Sequence, residues 1–176
     1  MEEIEIERSY LAKALPEKLA SFPYKEIFDV YFPSNMEHPT LRLRKNGEKY
    51  EMTKKEPIDA IDTSSSTEKT IPLTSGEFEE LASAGGKRLR KLRYIYEYEG
   101  REGEIDVFQD GLEGLVLIEF EFRTEDAMRS FVMPEFCLAD VTDEKFIAGG
   151  SLAGKTYQDI EENLNTFGYK KLSLQA

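Results

Sequence analysis

Carboxylates recur at every second position in Glu3-Ile4-Glu5-Ile6-Glu7, and the same spacing returns further along with both signs of charge: Arg42 and Arg44, Lys91 and Arg93, Glu119 and Glu121. Strand side chains alternate between faces, so each pair shares one face and its apolar neighbours the other. The basic set, Arg42, Arg44, Lys55, Lys91 and Arg93, suits phosphate oxygens, which arginine forks grip in a bidentate way. Five cations converging in one cavity would be costly without anions, and a polyphosphate would complete a balance that carboxylates begin. The acidic set, Glu5, Glu7, Glu68, Asp106, Glu119 and Glu121, offers the oxygen donors of a hard divalent cation, Mg²⁺ or Mn²⁺. Glu119 and Glu121 are the most informative. Leu115, Val116, Leu117, Ile118, Phe120 and Phe122 around them mark a buried strand, where paired carboxylates need a metal or a counter-charge. Singly, each charged pair also reads as a solvated strand face making cross-strand ion pairs. Their recurrence in both signs favours strands closed into a barrel with a charged lumen.

Composition narrows the classes. The chain has 176 residues, 40% hydrophobic and 33% charged, which fits one globular domain over 1–176. A net charge of −12 argues against a general nucleic-acid binder, which usually needs a broad basic surface. A single cysteine, Cys137, rules out an internal disulfide and fits a reducing cytoplasm. There is no apolar N-terminal run to serve as a signal peptide, and no stretch reaches the ~18 apolar residues of a membrane span. One histidine, His38 before Pro39, makes a histidine-based metal site improbable and reads as a surface residue. The oligomeric state is open, with a homodimer as one expectation.

The elements that must position these residues follow from the punctuation. Residues 3–13 and 24–33 read as strands, with a short helical segment at 17–21 after Pro16. Residues 38–45 and 48–55 form a hairpin through Asn46-Gly47. Residues 56–67, ending in a serine run, read as a connection, and 68–73 as a short strand. Thr74 and Glu77 suit a capping box for a helix that Gly85-Gly86 ends. Residues 87–99 and 103–110 form a second hairpin across Gly100, and 115–123 is the most apolar strand. Thr124 caps a helix expected to reach Val132 before Pro134. Residues 135–141 read as irregular, 142–148 as a helical turn, and 156–166 as a terminal helix. The fold class is α+β: an eight-stranded antiparallel β-barrel with helices packed outside, about the size that encloses a small ligand. Lys87-Arg88-x-Arg90-Lys91 is a basic run that reads either as a nucleic-acid contact or, after Gly-Gly, as the start of a solvated strand.

Taken in order, these motifs resemble the CYTH domain of the triphosphate tunnel metalloenzyme superfamily. Glu5-Ile6-Glu7-Arg8-Ser9 is similar to the family's Glu-x-Glu-x-Lys at both glutamates. Arg42-Leu43-Arg44 and Met52-Thr53-Lys54-Lys55 resemble Arg-x-Arg and Leu-Thr-x-Lys. Glu68-Lys69-Thr70-Ile71-Pro72, Lys91-Leu92-Arg93-Tyr94, Ile105-Asp106-Val107-Phe108, Leu115 to Glu121 and Asp140-Val141-Thr142 follow in register with the remaining motifs. The resemblance implies a tunnel in which basic residues bind a linear triphosphate and glutamates bind Mg²⁺ or Mn²⁺. Members hydrolyse inorganic triphosphate, thiamine triphosphate or RNA 5′-triphosphate ends, and a few make cyclic AMP from ATP.

On this basis Arg42, Arg44, Lys55, Lys91, Arg93 and Ser9 are expected to hold the phosphates. Glu5, Glu7, Asp106, Glu119 and Glu121 are expected to hold the metal, with Glu7, Glu68 and Lys55 closest to the chemistry. Two departures stand out: Ser9 occupies the motif lysine, and Ser66 stands where the family often has a second glutamate. The first expectation is a metal-dependent triphosphatase. An ATP cyclase on the same scaffold and a low-turnover polyphosphate or nucleotide binder are the alternatives.

Overall fold

The alternating segments do form strands, and short turns fold each back on its predecessor. The computed structural model describes residues 2–57 and 65–174. In chain order the elements are β1 (Glu2–Ala12), β2 (Tyr24–Phe32), β3 (Leu41–Asn46), β4 (Lys49–Pro57), β5 (Ser65–Leu73), α1 (Ser75–Ser83), β6 (Lys87–Tyr98), β7 (Arg101–Phe108), β8 (Val116–Phe122), α2 (Glu125–Arg129), β9 (Cys137–Asp140), α3 (Gly149–Leu152) and α4 (Tyr157–Thr166). The β3–β4 turn uses Gly47 at φ 59°, and the β6–β7 turn uses Glu99 and Gly100 at φ 50° and 74°. Glycine enters that left-handed region at little cost, which is why these tight reversals fall where they do.

Strand order is β5-β4-β3-β2-β6-β7-β8-β1, every pair antiparallel, and a β1–β5 pairing closes the barrel of eight. β1 is the closing staple. Residues Glu2–Ile6 pair with β5, and Ile6–Leu11 pair with β8 on the opposite edge. Beyond Ile6 the β5 edge is free, and β9 fills it against Tyr10–Ala12. Closure leaves no long unpaired strand edge in the barrel.

Three apolar layers hold this frame. Outside β1, β7 and β8, Tyr10, Ile105, Ile118 and Phe120 are buried with Met128 of α2. Outside β2–β5, Val30 and Leu43 pack under Phe78 of α1. Thr74 accepts from the Glu77 amide while the Glu77 carboxylate accepts from the Thr74 amide, the expected capping box. The third layer floors the lumen: Leu11, Tyr31, Leu89, Phe108 and Leu117 point inward at one end and meet Leu152 of α3 and Ile160 and Leu164 of α4. Removing such groups from water contributes about 1.5–3 kcal/mol each.

Some boundaries differ from expectation. The segment read as irregular at 135–141 contains β9, because the open edge of β1 supplies a hydrogen-bonding partner that no local pattern announces. β4 and β5 extend to Pro57 and Ser65, so only residues 58–64 of the expected connection lie between them, and these fall outside the described residues. The helix after Thr124 ends at Arg129, and α3 was not expected. Among the described residues no helix is long and apolar enough to cross a membrane.

Candidate functional site

The charged residues face the inside of the barrel, as their contacts require. Lys55 on β4 reaches Glu5 and Glu7 on β1 across the intervening β5, and Arg93 on β6 reaches Glu119 on β8 across β7. Side chains on the convex outer face diverge, so contacts that skip a strand belong to the lumen.

One group forms around Lys55. Its Nζ lies 3.0 Å from Glu5, 2.9 Å from Glu7 and 3.6 Å from Glu68. Burial alone would lower the pKa of this ammonium, but Glu7 and Glu5 more than offset it and hold it raised. Glu68 moves the other way. Burial pushes its carboxyl up, Lys55 opposes, and Glu5 adds to the rise.

A second group forms around Arg93. Its Nε and Nη2 donate to the two oxygens of Asp106 at 2.7 and 2.6 Å, and Nη2 also meets Glu119 at 2.9 Å. Glu104 takes the remaining edge of the guanidinium, and Lys91 donates to Asp106. Asp106 is fully buried; burial would raise its pKa, yet Arg93 and Lys91 hold it well below the usual range. Glu104 is pushed up to about 7, by burial first, with Arg93 opposing and Glu119 reinforcing.

A third pair is deeper. Arg44 Nε and Nη2 donate to both oxygens of Asp29 at 2.7 and 2.8 Å, with both residues buried. Arg42 is different: its Nε is buried and has no hydrogen-bond partner. It lies close enough to Asp29 and Glu68 to lower both pKa values, but ion-pairs with neither. Ser9 is 7% exposed and stands opposite Glu119 in register; its amide donates to Thr142 Oγ1 at 3.1 Å. Glu121 stands opposite Glu7, and burial together with Glu5 and Glu7 pushes its carboxyl up.

All twelve residues singled out from the sequence, Ser9 included, fall on the lumen face of their strands, but not as one array. Asp106 departs from the expectation of an open metal donor. Arg93 and Lys91 occupy both its oxygens, which makes it an anchor for those two cations. Among the described residues no three carboxylates converge on one point at metal-binding distance; Lys55 stands amid Glu5, Glu7 and Glu68. Two lumen carboxylates were missed, Asp29 and Glu104. Both were findable by parity: Asp29 sits between Phe28 and Val30 as Glu119 sits between Ile118 and Phe120, and Glu104 precedes Asp106 by two. His38 is not in the lumen; its Nδ1 contacts Ser151 Oγ of α3.

Comparison with known proteins agrees with this geometry. The chain is 34% identical over 152 residues to an inorganic triphosphatase of Nitrosomonas europaea, covering 85% of this chain and 96% of that one. An inorganic triphosphatase of Acetivibrio thermocellus is 32% identical over 74 residues, 42% of this chain and 46% of that one. A solved inorganic triphosphatase superposes with a TM-score of 0.62 at 30% identity, over 86% of this chain and 95% of the other. A Bacillus halodurans protein put forward as an adenylate cyclase superposes at 0.55 with 17% identity, over 99% of this chain and 95% of that one, a likeness of fold. No protein-family model matches the chain. The closed eight-stranded barrel, its doubly charged lumen and a relative alike over nearly its whole length together make this chain a member of the CYTH, or triphosphate tunnel metalloenzyme, superfamily.

Proposed function

We propose that this protein is a divalent-metal-dependent triphosphatase whose first-choice substrate is inorganic tripolyphosphate. The relatives named inorganic triphosphatases support the reaction class. The observation that carries the reading is Arg42, a half-buried guanidinium without an ion-pair partner among the described residues, whose buried Nε has no hydrogen-bond partner. Its missing partner is an anion, and phosphate oxygens match the fork. Arg44, held by Asp29, and Lys91 and Arg93, held by Asp106, form a pre-oriented wall for the same chain of phosphates. The Ser9 hydroxyl adds a neutral donor in place of a lysine charge.

The donor set fits Mg²⁺ or Mn²⁺. Glu7 and Glu121 are hard oxygen donors directly opposite one another on β1 and β8, with Glu5 and Glu119 two residues away on either side, and Glu121 is a carboxyl whose charge its neighbours disfavour. A bound divalent ion would neutralise charge on the phosphoryl oxygens. Lys55 holds Glu5, Glu7 and Glu68 together and adds positive charge beside the phosphates. Glu7 or Glu68 orients the attacking water. Most of the rate then comes from positioning and preorganised charge. Buried Cys137, free of any disulfide, fits a reaction in the cytoplasm.

Phosphate release from tripolyphosphate, thiamine triphosphate and ATP, each with Mg²⁺ or Mn²⁺, tests this reading. Tripolyphosphate turnover is expected to need the metal and to fall about 10²–10³-fold in Glu119→Gln. Full activity of that variant would remove Glu119 from the metal set, and cyclic AMP from ATP would move the protein to the cyclase class.

A further inference from the structure

The basic run Lys87-Arg88-x-Arg90-Lys91 divides between two places. Lys91 turns into the lumen, whereas Arg88 and Arg90 lie on the outer face of β6. There they line a cleft of about 240 Å³ with Phe28, Gln109, Gly111 and Lys155. Leu89 and Leu112, which form its apolar floor, also belong to the plug that closes the lumen, so the cleft and the tunnel are back to back.

The cleft is rigid and under-neutralised. Asp110 accepts from Arg90 Nε and Nη2 at 2.9 and 2.7 Å, and Glu26 from Nη1 at 3.4 Å. The β6 backbone is pinned on both sides, Gly154 N donating to Arg88 O at 2.9 Å and Gln109 N to Arg90 O at 3.0 Å. Lys87 runs beside Gly154 and donates to the Glu37 carbonyl at 3.1 Å. Burial and then the nearby Lys155 ammonium lower its pKa, with Glu37 opposing. Three cations, Arg88, Arg90 and Lys155, line the cleft with one carboxylate, Asp110, while Glu26 reaches Arg90 from beside it, in a chain whose net charge is −12. Among the described residues no side chain forms an ion pair with Arg88 or Lys155, although Lys155 lies close enough to Asp159 to help lower its pKa. Arg88 and Lys155 line one concave site over the apolar floor of Leu89 and Leu112, where an anion could meet both.

We propose that this cleft is a second anion site, separate from the lumen, which takes one phosphate group, either free inorganic phosphate or the end of a short polyphosphate. Arg88 and Lys155 are its recruiting charges, and Arg90 is fixed by Asp110 as its wall. Three cations are too few to follow a nucleic-acid backbone, so the ligand is small.

Amide chemical shifts read by NMR at constant ionic strength in metal-free buffer test this without turnover. Inorganic phosphate is expected to shift the Gly111 and Gly154 amides saturably in wild type and equally in Arg42→Ala, where the lumen is impaired. Affinity should fall about tenfold or more in the Arg88→Gln/Lys155→Gln double variant. Arg88→Gln alone, at an exposed position, keeps the test open should the double variant fold poorly. Tighter binding of tripolyphosphate than of phosphate at these glycines assigns the polyphosphate source; equal or weaker binding assigns free phosphate. No saturable shift, a shift unchanged in the variants, or the same shift from chloride overturns the proposal. Failure of tripolyphosphate hydrolysis would sink the lumen reading and leave this titration untouched.

Discussion

Asp29→Asn separates the structural from the binding role of the lumen arginines. Asp29 is 1% exposed and accepts two hydrogen bonds from the buried Arg44 guanidinium. The substitution keeps the shape, removes the charge and leaves at most one acceptor on Arg44. Breaking a buried ion pair by removing one partner costs about 3–5 kcal/mol, and the retained acceptor puts the expected value at the lower end. For a chain of this size, about 2–4 °C per kcal/mol gives, at about 3 kcal/mol, a drop in Tm of roughly 6–12 °C. The pH dependence has a definite sign. Burial would raise the Asp29 pKa, but Arg44 holds it below its usual 3.8, so its stabilisation is present above that value and disappears as pH falls through the folded-state pKa. The gap between wild type and variant should therefore be full at pH 7 and close in acid. The functional half of the reasoning uses tripolyphosphate in EDTA, read by thermal unfolding. A ligand at 100 times its Kd stabilises by about 2.7 kcal/mol, and each tenfold tightening adds about 1.4. With Arg44 released from Asp29, the anion becomes its counter-ion, so the ligand-induced rise in Tm should be larger in the variant. A cost below about 1 kcal/mol, or a ligand response no larger than that of wild type, refutes the assignment of Arg44 as a charge shared between fold and substrate.

Two further outcomes follow from the same lumen. Arg42→Ala removes a cation with no ion-pair partner among the described residues, so urea midpoints should hold within about 0.5 kcal/mol. Its KM for tripolyphosphate should rise about 10- to 100-fold, the loss of a charge-assisted contact. Glu104, pushed up to about 7 by burial despite Arg93, binds more protons folded than unfolded between about pH 4.5 and 7. Wild-type stability relative to Glu104→Gln should thus fall as pH rises through that window, measured by urea unfolding in metal-free buffer, and level off above it.

The charged lumen was legible because its residues obey a period of two within strands whose other face is apolar. Arg42, Arg44, Lys91, Arg93, Glu119 and Glu121 all turn inward as that rule requires. Asp29 and Glu104 obey it equally but stand among aromatic or mixed neighbours, where a single carboxylate is easy to read as solvated. How the charges pair was not legible. Whether Lys55 meets Glu5 or Arg93 meets Glu119 depends on barrel stagger, which sets which residues of non-adjacent strands share a height. β9 was hidden for the same reason, since Cys137–Asp140 becomes a strand only because β5 leaves β1 at Ile6. The outer cleft lies between β6 and the segments after β7 and α3, and its basic run carries no mark of which cations face in and which face out.

The lumen's charge balance bears on the proposed role of a metal. Among the described residues, eight carboxylates, Glu5, Glu7, Asp29, Glu68, Glu104, Asp106, Glu119 and Glu121, interact there with five cations, Arg42, Arg44, Lys55, Lys91 and Arg93. With every one of these groups ionised the set is negative by three, before any phosphate enters. The raised pKa values of Glu68, Glu104 and Glu121 express that excess locally: each carboxyl favours its proton because neighbouring acids and burial outweigh the cations in reach. Protons on carboxylates and divalent cations between them are alternative remedies for the same repulsion. A triphosphate anion makes the deficit worse, and Ser9, opposite Glu119, withholds the positive charge that a lysine would bring there. Arg42 alone cannot make up the difference, so on the proposed reading tripolyphosphate is expected to bind this lumen more tightly with Mg²⁺ or Mn²⁺ than in EDTA, and calorimetric titrations showing equal affinity in the two buffers would refute it.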